Sequence, residues 1–272
     1  MSNILVFDSG VGGISVVREI KQLLPTVSID YLFDNQFYPY GQLEEQTLIK
    51  RLCGLLSDIA LKTNPDLIVI ACNSASTIAL PTLRKLFDIP IVGVVPAIKP
   101  ASQLSKSNVI GLLATQGTIT REYIEDLKQA HASNCQLVSV GSNELVEMAE
   151  QLFCGVKPDV NRLHEICRPI FEKADVMILG CTHFPLLKNE IEQVCPKDIL
   201  LIDSGKAIAQ RVMKLLSYNT ENRQQSLKTK TPSNLLNYRA LYTKTDLDKL
   251  FITSLFNEGF NEVLLFTLLE QR

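Results

Sequence analysis

A two-lobed α/β fold with mainly parallel sheets is predicted by three features of the sequence. Short runs rich in Val, Ile and Leu alternate with segments whose apolar residues recur at helical spacing, which is typical of βαβ units. This pattern occurs twice along the chain, and in each half a strand leads into a cysteine, Cys72 in LIVIACNSAS and Cys181 in VMILGCTHFP. The 272 residues are 46% hydrophobic, which is enough for the cores of two modest domains.

The strands are predicted from apolar runs of four or five residues that turn signals bound. They fall at 4–7, 29–33, 67–71, 91–95, 109–113, 136–140, 176–179, 199–202, 238–242 and 262–265. Helices are predicted between most of them, where apolar residues share one face. The two clearest stripes are Ile14, Val17, Ile20 and Leu24, and Leu48, Leu52, Leu55, Leu56 and Ile59 within 44–64, while a third helix is predicted at 246–258.

An internal repeat is visible in the loops that follow the first strand of each half. DSGVGG at 8–13 and ATQGT at 114–118 both precede the strand that leads into the cysteine. The repeat predicts two pseudo-symmetric lobes, with the two cysteine loops on opposite walls of one cleft, where small-molecule sites usually form. Junctions between the lobes are expected near 96–100 and 203–206. Periodicity alone does not assign the strands and helix after the polar stretch 219–234 to either lobe.

Charge and composition exclude several classes of protein. With 27 basic and 29 acidic residues the net charge is −2, so no electrostatic footprint for nucleic acid is present. The N-terminus lacks the pattern of a signal peptide, and the apolar runs near 67 and 91 are far too short to span a membrane. Seven cysteines without framework spacing fit a reducing compartment. We therefore expect a cytoplasmic protein that binds neither nucleic acid nor membrane.

Two of the seven cysteines differ from the others in their neighbours. Cys72 and Cys181 each follow a buried strand and precede polar residues, Asn73-Ser74 and Thr182-His183, where the strand opens into a loop. Both positions face the crevice where open α/β sheets bind ligands. The other five lie in helical or loop segments and are interpreted as small structural residues: Cys53, Cys135, Cys154, Cys167 and Cys195.

The loop at 8–13 is a candidate anion site, because its glycines let backbone N–H groups approach a carboxylate or phosphate at a helix N-terminus. It reads G-x-G-G rather than the dinucleotide motif G-x-G-x-x-G, and Asp8 would repel a diphosphate. A tight turn capped by Asp8 or Ser9 is the alternative. Tyr40-Gly41, after Pro39, is likewise either a binding pair or only a turn.

The spacing Cys181-x-His183 could belong to a metal site, but the rest of the sequence argues against one. Structural zinc needs four convergent ligands, and the usual C-x-x-C or H-x-x-x-H pairs are missing. His131 and His164 lie in predicted helices without a partner in sequence. We therefore predict no metal.

Taken in order, DSGVGG, YPYG, ACNSAS and GCTHFPLL resemble the glutamate racemases of the cofactor-independent aspartate/glutamate racemase superfamily. The PAIKPA stretch, ATQGT and the segment at 202–209 agree as well, so the resemblance spans nearly the whole chain, although the last fifty residues carry the least information. It implies an interlobe active site and a C-terminal segment that returns to the first lobe. The domains expected from it are 1–97 plus 208–272, and 98–207.

The resemblance also implies roles for individual residues. Cys72 and Cys181 match the family's proton donor and acceptor, with Cys72 taking the proton from the D-isomer and Cys181 from the L-isomer. The substrate-binding pairs that match are Asp8-Ser9, Tyr40-Gly41, Asn73-Ser74 and Thr182-His183. Ser74 stands where threonine is common, so we expect weaker packing around the substrate but retained binding. The region 141–150 departs from the family pattern. Glu150 is assigned the catalytic role of the family's acidic residue in this region from its position alone.

Inversion of an α-carbon requires one group that removes a proton on one face and another that delivers one on the opposite face. Two thiols with an ordinary pKa of about 8.5 suit both roles, and in a closed, occupied site their sulfurs would lie roughly 7 Å apart. Asn73, Ser74 and Thr182 would hold the α-carboxylate, Asp8 would pair with the ammonium and assist Cys72, and His183 would assist Cys181. No pyridoxal phosphate motif is present, so no cofactor is expected.

Other interpretations stay open at this point. A cysteine hydrolase or amidotransferase would use Cys181 with His183, but residues so close on a tight loop rarely point at each other and Cys72 would go unexplained. An anion-binding module would need the glycine loop alone. Aspartate or hydantoin racemisation is possible within the superfamily, although histidine after the second Cys-Thr favours glutamate. The family resemblance further implies a bacterial enzyme that supplies D-glutamate for peptidoglycan, and a homodimer.

Overall fold

The structure, a computed structural model, describes residues 2–223 and 236–268, and of residues 218–223 it describes the backbone only. Most of the polar stretch predicted at 219–234 therefore lies outside the described residues. The described residues divide into two compact units, one formed by 2–94, 205–223 and 236–268 and the other by Val95–Ser204.

Strands and helices alternate through both units, as the apolar pattern predicts. The first unit begins with β1 (Asn3–Asp8), α1 (Ile14–Leu23), β2 (Ser28–Phe33), α2 (Glu45–Thr63), β3 (Leu67–Ile70), α3 (Asn73–Leu86) and β4 (Ile91–Gly93). The second contains α4 (Ile98–Leu104), β5 (Val109–Ala114), α5 (Gln116–Ile119), α6 (Glu122–His131), β6 (Gln136–Gly141), α7 (Glu144–Phe153), α8 (Val160–Phe171), β7 (Val176–Leu179), α9 (Lys188–Val194) and β8 (Leu200–Ile202). The chain then continues through α10 (Gly205–Arg223), β9 (Tyr238–Tyr242), α11 (Lys249–Asn257) and β10 (Glu262–Leu265).

The sheets of the two units have equivalent strand orders. The first is β10-β9-β2-β1-β3-β4 and the second is β6-β5-β7-β8, so β2-β1-β3-β4 corresponds to β6-β5-β7-β8. Every pairing among the described strands is parallel. The predicted α/β class with two pseudo-symmetric, mainly parallel sheets is confirmed.

Each unit has its own core, built from the strand runs and the apolar faces of the helices. In the first, the stripe of α2 packs with β1 and β3, and the fully buried side chains include Leu5, Phe7, Leu52, Leu56 and Ile70. In the second, Ile98 and Ala101 of α4 pack with β5 and β7, where Ile110, Leu112 and Ile178 are buried. These cores fix the strands whose carboxyl ends carry the predicted site residues.

Among the described residues, none of the helices combines the length and the apolar character needed to cross a bilayer.

Candidate active site

The site residues predicted in the first unit lie where three neighbouring strands end. Because β2, β1 and β3 are parallel and adjacent, their carboxyl ends meet at one edge of the sheet. Asp8 is the last residue of β1, and Cys72 follows β3 after Ala71. Both residues therefore lie at the carboxyl ends of strands, as the sequence predicts.

Cys72 is the N-cap residue of α3 and has an extended backbone. The residue is 6% exposed, and Asn73 and Ser74 form the buried first turn of the helix. The N-terminus of a helix favours negative charge, whether on a thiolate or on a bound carboxylate. Ser9 Oγ lies 3.9 Å from Cys72 Sγ, so the thiol and the loop after β1 are in contact.

Asp8 and Ser9 interact with each other. Ser9 N–H donates to Asp8 Oδ1 at 2.6 Å, and both residues are buried. The 3-10 turn Val11–Gly13 and α1 follow directly, with Gly10 and Gly13 as their N-cap residues. At Gly13 an added Cβ would lie 2.7 Å from Tyr31 Cε2, so the close approach of Tyr31 requires glycine there.

Tyr40 begins a 3-10 turn with Gly41 and is 1% exposed. Its phenol donates to Asp34 Oδ2 at 2.6 Å. Burial, and then the charge of Asp34, raise the pKa of Tyr40 well above its usual value of 10.0, so the phenol stays a hydrogen-bond donor.

Sequence reasoning missed the network behind Tyr40. Asp34 follows β2 and also accepts hydrogen bonds from Arg51 and Thr243. A sequence offers little signal for such a network, because Thr243 is 209 positions away from Asp34. The buried acid just after a strand was the one available hint.

The site residues predicted in the second unit lie at the equivalent place. Cys181 follows β7 after Gly180, and its Sγ lies 3.8 Å from His183 Nδ1. The expectation that these neighbours rarely point at each other is wrong here, because Phe184 N–H bonds to Cys181 O and folds the loop into a turn. Thr182, between them, is 6% exposed.

His183 also contacts Glu150, which α7 carries. The distance from His183 Nε2 to Glu150 Oε1 is 2.8 Å. Burial lowers the pKa of His183, but the contacts with Cys181 and Glu150 outweigh it and raise that pKa well above 6.5. The contacts with a thiol and with a carboxylate therefore favour the charged imidazolium.

Two further buried hydroxyls, those of Thr115 and Thr118, follow the strand that is adjacent to β7. Thr115 follows β5, the neighbour of β7, and its Oγ1 is 2.8 Å from that of Thr118. The ATQGT segment was identified as the counterpart of DSGVGG, but these two residues were not singled out.

The other cysteines are free thiols, as are Cys72 and Cys181. Burial raises the pKa of Cys167 to about 12 and that of Cys195 to about 11, so both stay protonated near neutral pH. The described residues contain no group of three or more His, Cys, Asp and Glu side chains arranged to hold a metal ion.

Within the first unit, Asp8, Ser9 and Cys72 lie in contact and Tyr40 contacts Asp34. Within the second unit, His183 contacts both Cys181 and Glu150. In each of the two similar α/β units a buried cysteine follows a central strand, β3 next to β1 and β7 next to β5. This arrangement defines a class of proteins with paired thiols. The comparisons with known proteins identify the family within this class.

The model of the Asp/Glu/Hydantoin racemase family matches residues 4–212. The chain is 49% identical over 259 residues to the glutamate racemase of Shewanella sp. strain ANA-3, covering 95% of this chain and 94% of the relative. The crystal structure of Escherichia coli glutamate racemase with L-glutamate and the activator UDP-MurNAc-Ala has a TM-score of 0.89 at 39% identity, covering 98% and 99% of the two chains. The structure of the Francisella tularensis glutamate racemase with D-glutamate has a TM-score of 0.79 at 26% identity, covering 98% and 97%. This chain belongs to the Asp/Glu/Hydantoin racemase family.

Proposed function

We propose that this protein interconverts L-glutamate and D-glutamate without a cofactor, with Cys72 and Cys181 as its two acid/base groups. The observation that carries the proposal is the equivalence of the two cysteines, which follow the corresponding strands β3 and β7 of two sheets with the same order. Similarity to glutamate racemases along nearly the whole chain supports glutamate as the substrate.

In this mechanism Cys72 serves one face of the α-carbon. As a thiolate it removes the α-proton of D-glutamate, and as a thiol it returns a proton in the opposite direction. The N-terminus of α3 favours the thiolate, and Ser9 Oγ is close enough to contact the sulfur. Asp8, next to Ser9, is proposed to pair with the substrate ammonium and to assist this proton transfer.

Cys181 serves the other face and takes the proton from L-glutamate. The ring of His183 contacts the Cys181 sulfur and is proposed to assist this proton transfer. Glu150 holds the second nitrogen of the ring, which orients it and favours the imidazolium. We therefore assign Glu150 a supporting role behind His183.

Hydrogen-bond donors are proposed to bind the glutamate and to stabilise the charge that develops as the proton leaves. Asn73, Ser74 and Thr182 are assigned to the α-carboxylate, and Tyr40 and Gly41 complete the substrate-binding set. Inversion by this mechanism requires the amino acid to bind with Cys72 and Cys181 at opposite faces of its α-carbon.

Circular dichroism of L- and D-glutamate solutions tests the proposal, with no cofactor or metal added. The native protein is expected to bring either enantiomer to a racemic mixture, and Cys72→Ser and Cys181→Ser to abolish inversion in both directions. Cys53→Ser and Cys195→Ser are matched controls, because each replaces a half-buried thiol outside the site, and they should remain active. Full racemisation by Cys72→Ser would exclude the two-thiol mechanism. Aspartate and a hydantoin in the same assay decide the substrate within the family.

A cysteine hydrolase is the second candidate, because His183 contacts Cys181 at 3.8 Å and Glu150 at 2.8 Å through its two ring nitrogens. It would form an acyl-enzyme on Cys181 and would not depend on Cys72. Mass spectrometry of the protein with an amide or ester of glutamate distinguishes the two: acylation of Cys181 supports the hydrolase, and unmodified protein supports the racemase.

The proposed product, D-glutamate, would supply peptidoglycan synthesis in the cytoplasm of a bacterium. We further propose a homodimer that binds neither nucleic acid nor membrane. Light scattering of the purified protein tests the dimer, which predicts about twice the mass of the 30.3 kDa chain.

A further inference from the structure

We propose that Arg51 and Thr243 are positioning residues, which hold the turn of Tyr40 and Gly41 in place for the substrate through the buried carboxylate of Asp34. The inference rests on the proposed function, in which that turn binds glutamate. It adds a role for the C-terminal segment, because Thr243 comes from the residues directly after β9.

Asp34 has no exposed surface and accepts four hydrogen bonds. Its Oδ2 receives Tyr40 OH at 2.6 Å and Arg51 Nε at 2.9 Å, and its Oδ1 receives Arg51 Nη2 at 2.8 Å and Thr243 Oγ1 at 2.6 Å. A carboxylate offers about four lone-pair sites, so this one is saturated. Asp34 is therefore suited to fixing its donors in place.

Arg51 anchors the carboxylate to a rigid element. It lies on the nineteen-residue helix α2, and its side chain is 12% exposed. Its guanidinium lies over the ring of Phe37 at 4.3 Å and donates to Gln36 Oε1 at 3.2 Å. The two parallel bonds to Asp34 require the planar fork of arginine, which a lysine cannot reproduce.

Thr243 joins the C-terminal segment to the same loop. Gln36 N–H donates to Thr243 Oγ1 at 3.1 Å, and the backbone N–H groups of Thr243 and Lys244 both donate to Asn35 Oδ1 at 2.9 Å. Together with the bond to Asp34, these contacts fasten residues 34–36 to the end of β9.

The network reaches the residues proposed for the chemistry. Asp34 N–H donates to Asp8 O at 3.0 Å, and the Tyr40 ring packs against Phe7, the residue before Asp8, with ring centroids 5.7 Å apart. Tyr40 and Cys72 belong to the same buried cluster. A shift of Tyr40 would therefore change the shape of the substrate site next to Cys72 and Asp8.

Steady-state kinetics in both directions tests the inference with Arg51→Lys, Thr243→Val and Tyr40→Phe. Because the turn is proposed to bind the ground state and the transition state alike, we expect KM for both enantiomers to rise about tenfold in Arg51→Lys and Tyr40→Phe, with less change in kcat. Thr243→Val keeps the shape of the side chain and should raise KM in the same direction. Arg51→Lys should add little in the Tyr40→Phe background, because both act on the same contact.

Arg239→Lys is the matched control. Arg239 Nε donates to Asp30 Oδ1 at 2.7 Å in a similar buried pair, and the two residues are partners on the same two strands, β9 and β2. This control should lower the melting temperature and leave KM unchanged.

If Arg51→Lys and Thr243→Val lower the stability but leave KM unchanged, as the control Arg239→Lys is expected to do, the positioning role is overturned. If Arg51→Lys does not fold, Thr243→Val decides the question alone. A native protein without racemase activity would overturn the proposed function and this inference together, whereas an active native protein with unchanged KM in the variants would overturn only the inference.

Discussion

His183 is buried between a thiol and a carboxylate, and this environment sets its charge. Of the forces on it, burial favours the neutral ring, while the contacts with Cys181 and Glu150 favour the imidazolium and prevail. The raised pKa contributes stability that is fully present below the ordinary value of about 6.5 and is lost as the pH rises through the raised value.

Glu150→Gln is expected to lower the pKa of His183, because it removes a carboxylate that favours the charged ring and leaves burial to act against it. The loss of racemase activity at alkaline pH should therefore begin at a lower pH in this variant than in the native protein. The unfolding free energy should fall by about 1–3 kcal/mol at pH 6, and by less at pH 10. Urea unfolding and kcat/KM from pH 6 to 10 measure both effects.

Glu147→Gln is the control for this change, since Glu147 lies on the same helix and is exposed. It should leave both pH profiles unchanged. If Glu150→Gln behaves in the same way, Glu150 does not set the charge of His183.

The individual residues of the site were predictable to different degrees. Cys72 and Cys181 could be identified because each follows a buried strand and the sequence repeats the arrangement. The contact of Glu150 with His183 and that of Thr243 with Asp34 join residues 33 and 209 positions apart, and no periodic pattern carries such a pairing. They depend on how helices and loops pack against the ends of the strands.

The secondary structure elements were predicted well because most of the strands are buried apolar runs. The strand predicted at 91–95 ends at Gly93, however. Val95 is 39% exposed, and Pro96 directly after it has no N–H to donate to the neighbouring strand. The helix predicted at 246–258 is shorter and covers Lys249–Asn257, because the side chain of Asp248 accepts a hydrogen bond from Leu250 N–H and caps its first turn. Local capping and proline effects therefore account for the differences at these ends.

The turn from β7 to Cys181 depends on a glycine without space for a side chain. At Gly180 an added Cβ would lie 2.6 Å from Leu112 Cδ1 and 3.0 Å from Leu113 O. Gly180→Ala is therefore expected to destabilise the protein by about 1–3 kcal/mol and to reduce racemisation through displacement of Cys181.

Gly54→Ala is the opposite case, because an added Cβ there meets nothing within 4 Å in the middle of α2. It should stabilise the protein by about 0.5–1 kcal/mol. Urea unfolding of both variants measures the difference, and equal stabilities would contradict the close packing at Gly180.

At the scale of the whole molecule, the duplication connects the sequence to the proposed function. Strands β2-β1-β3-β4 and β6-β5-β7-β8 share one order, so Cys72 and Cys181 occupy equivalent positions. The repeat of the cysteine-bearing strands was visible in the sequence. Periodicity did not show the position of β9, because it pairs with β2, whose residues lie some two hundred positions earlier in the chain. Only the family resemblance implied that the C-terminal segment returns to the first lobe.

The most direct test of the two-thiol mechanism follows the α-hydrogen in D₂O at early times, starting from each enantiomer in turn. With separate thiols on the two faces, the product receives its hydrogen from the thiol that did not remove the proton. Proton NMR should therefore show product deuterated at the α-carbon while the remaining substrate keeps its proton, in both directions. Early product that retains the substrate's own α-proton would show that one group serves both faces, and would contradict the account.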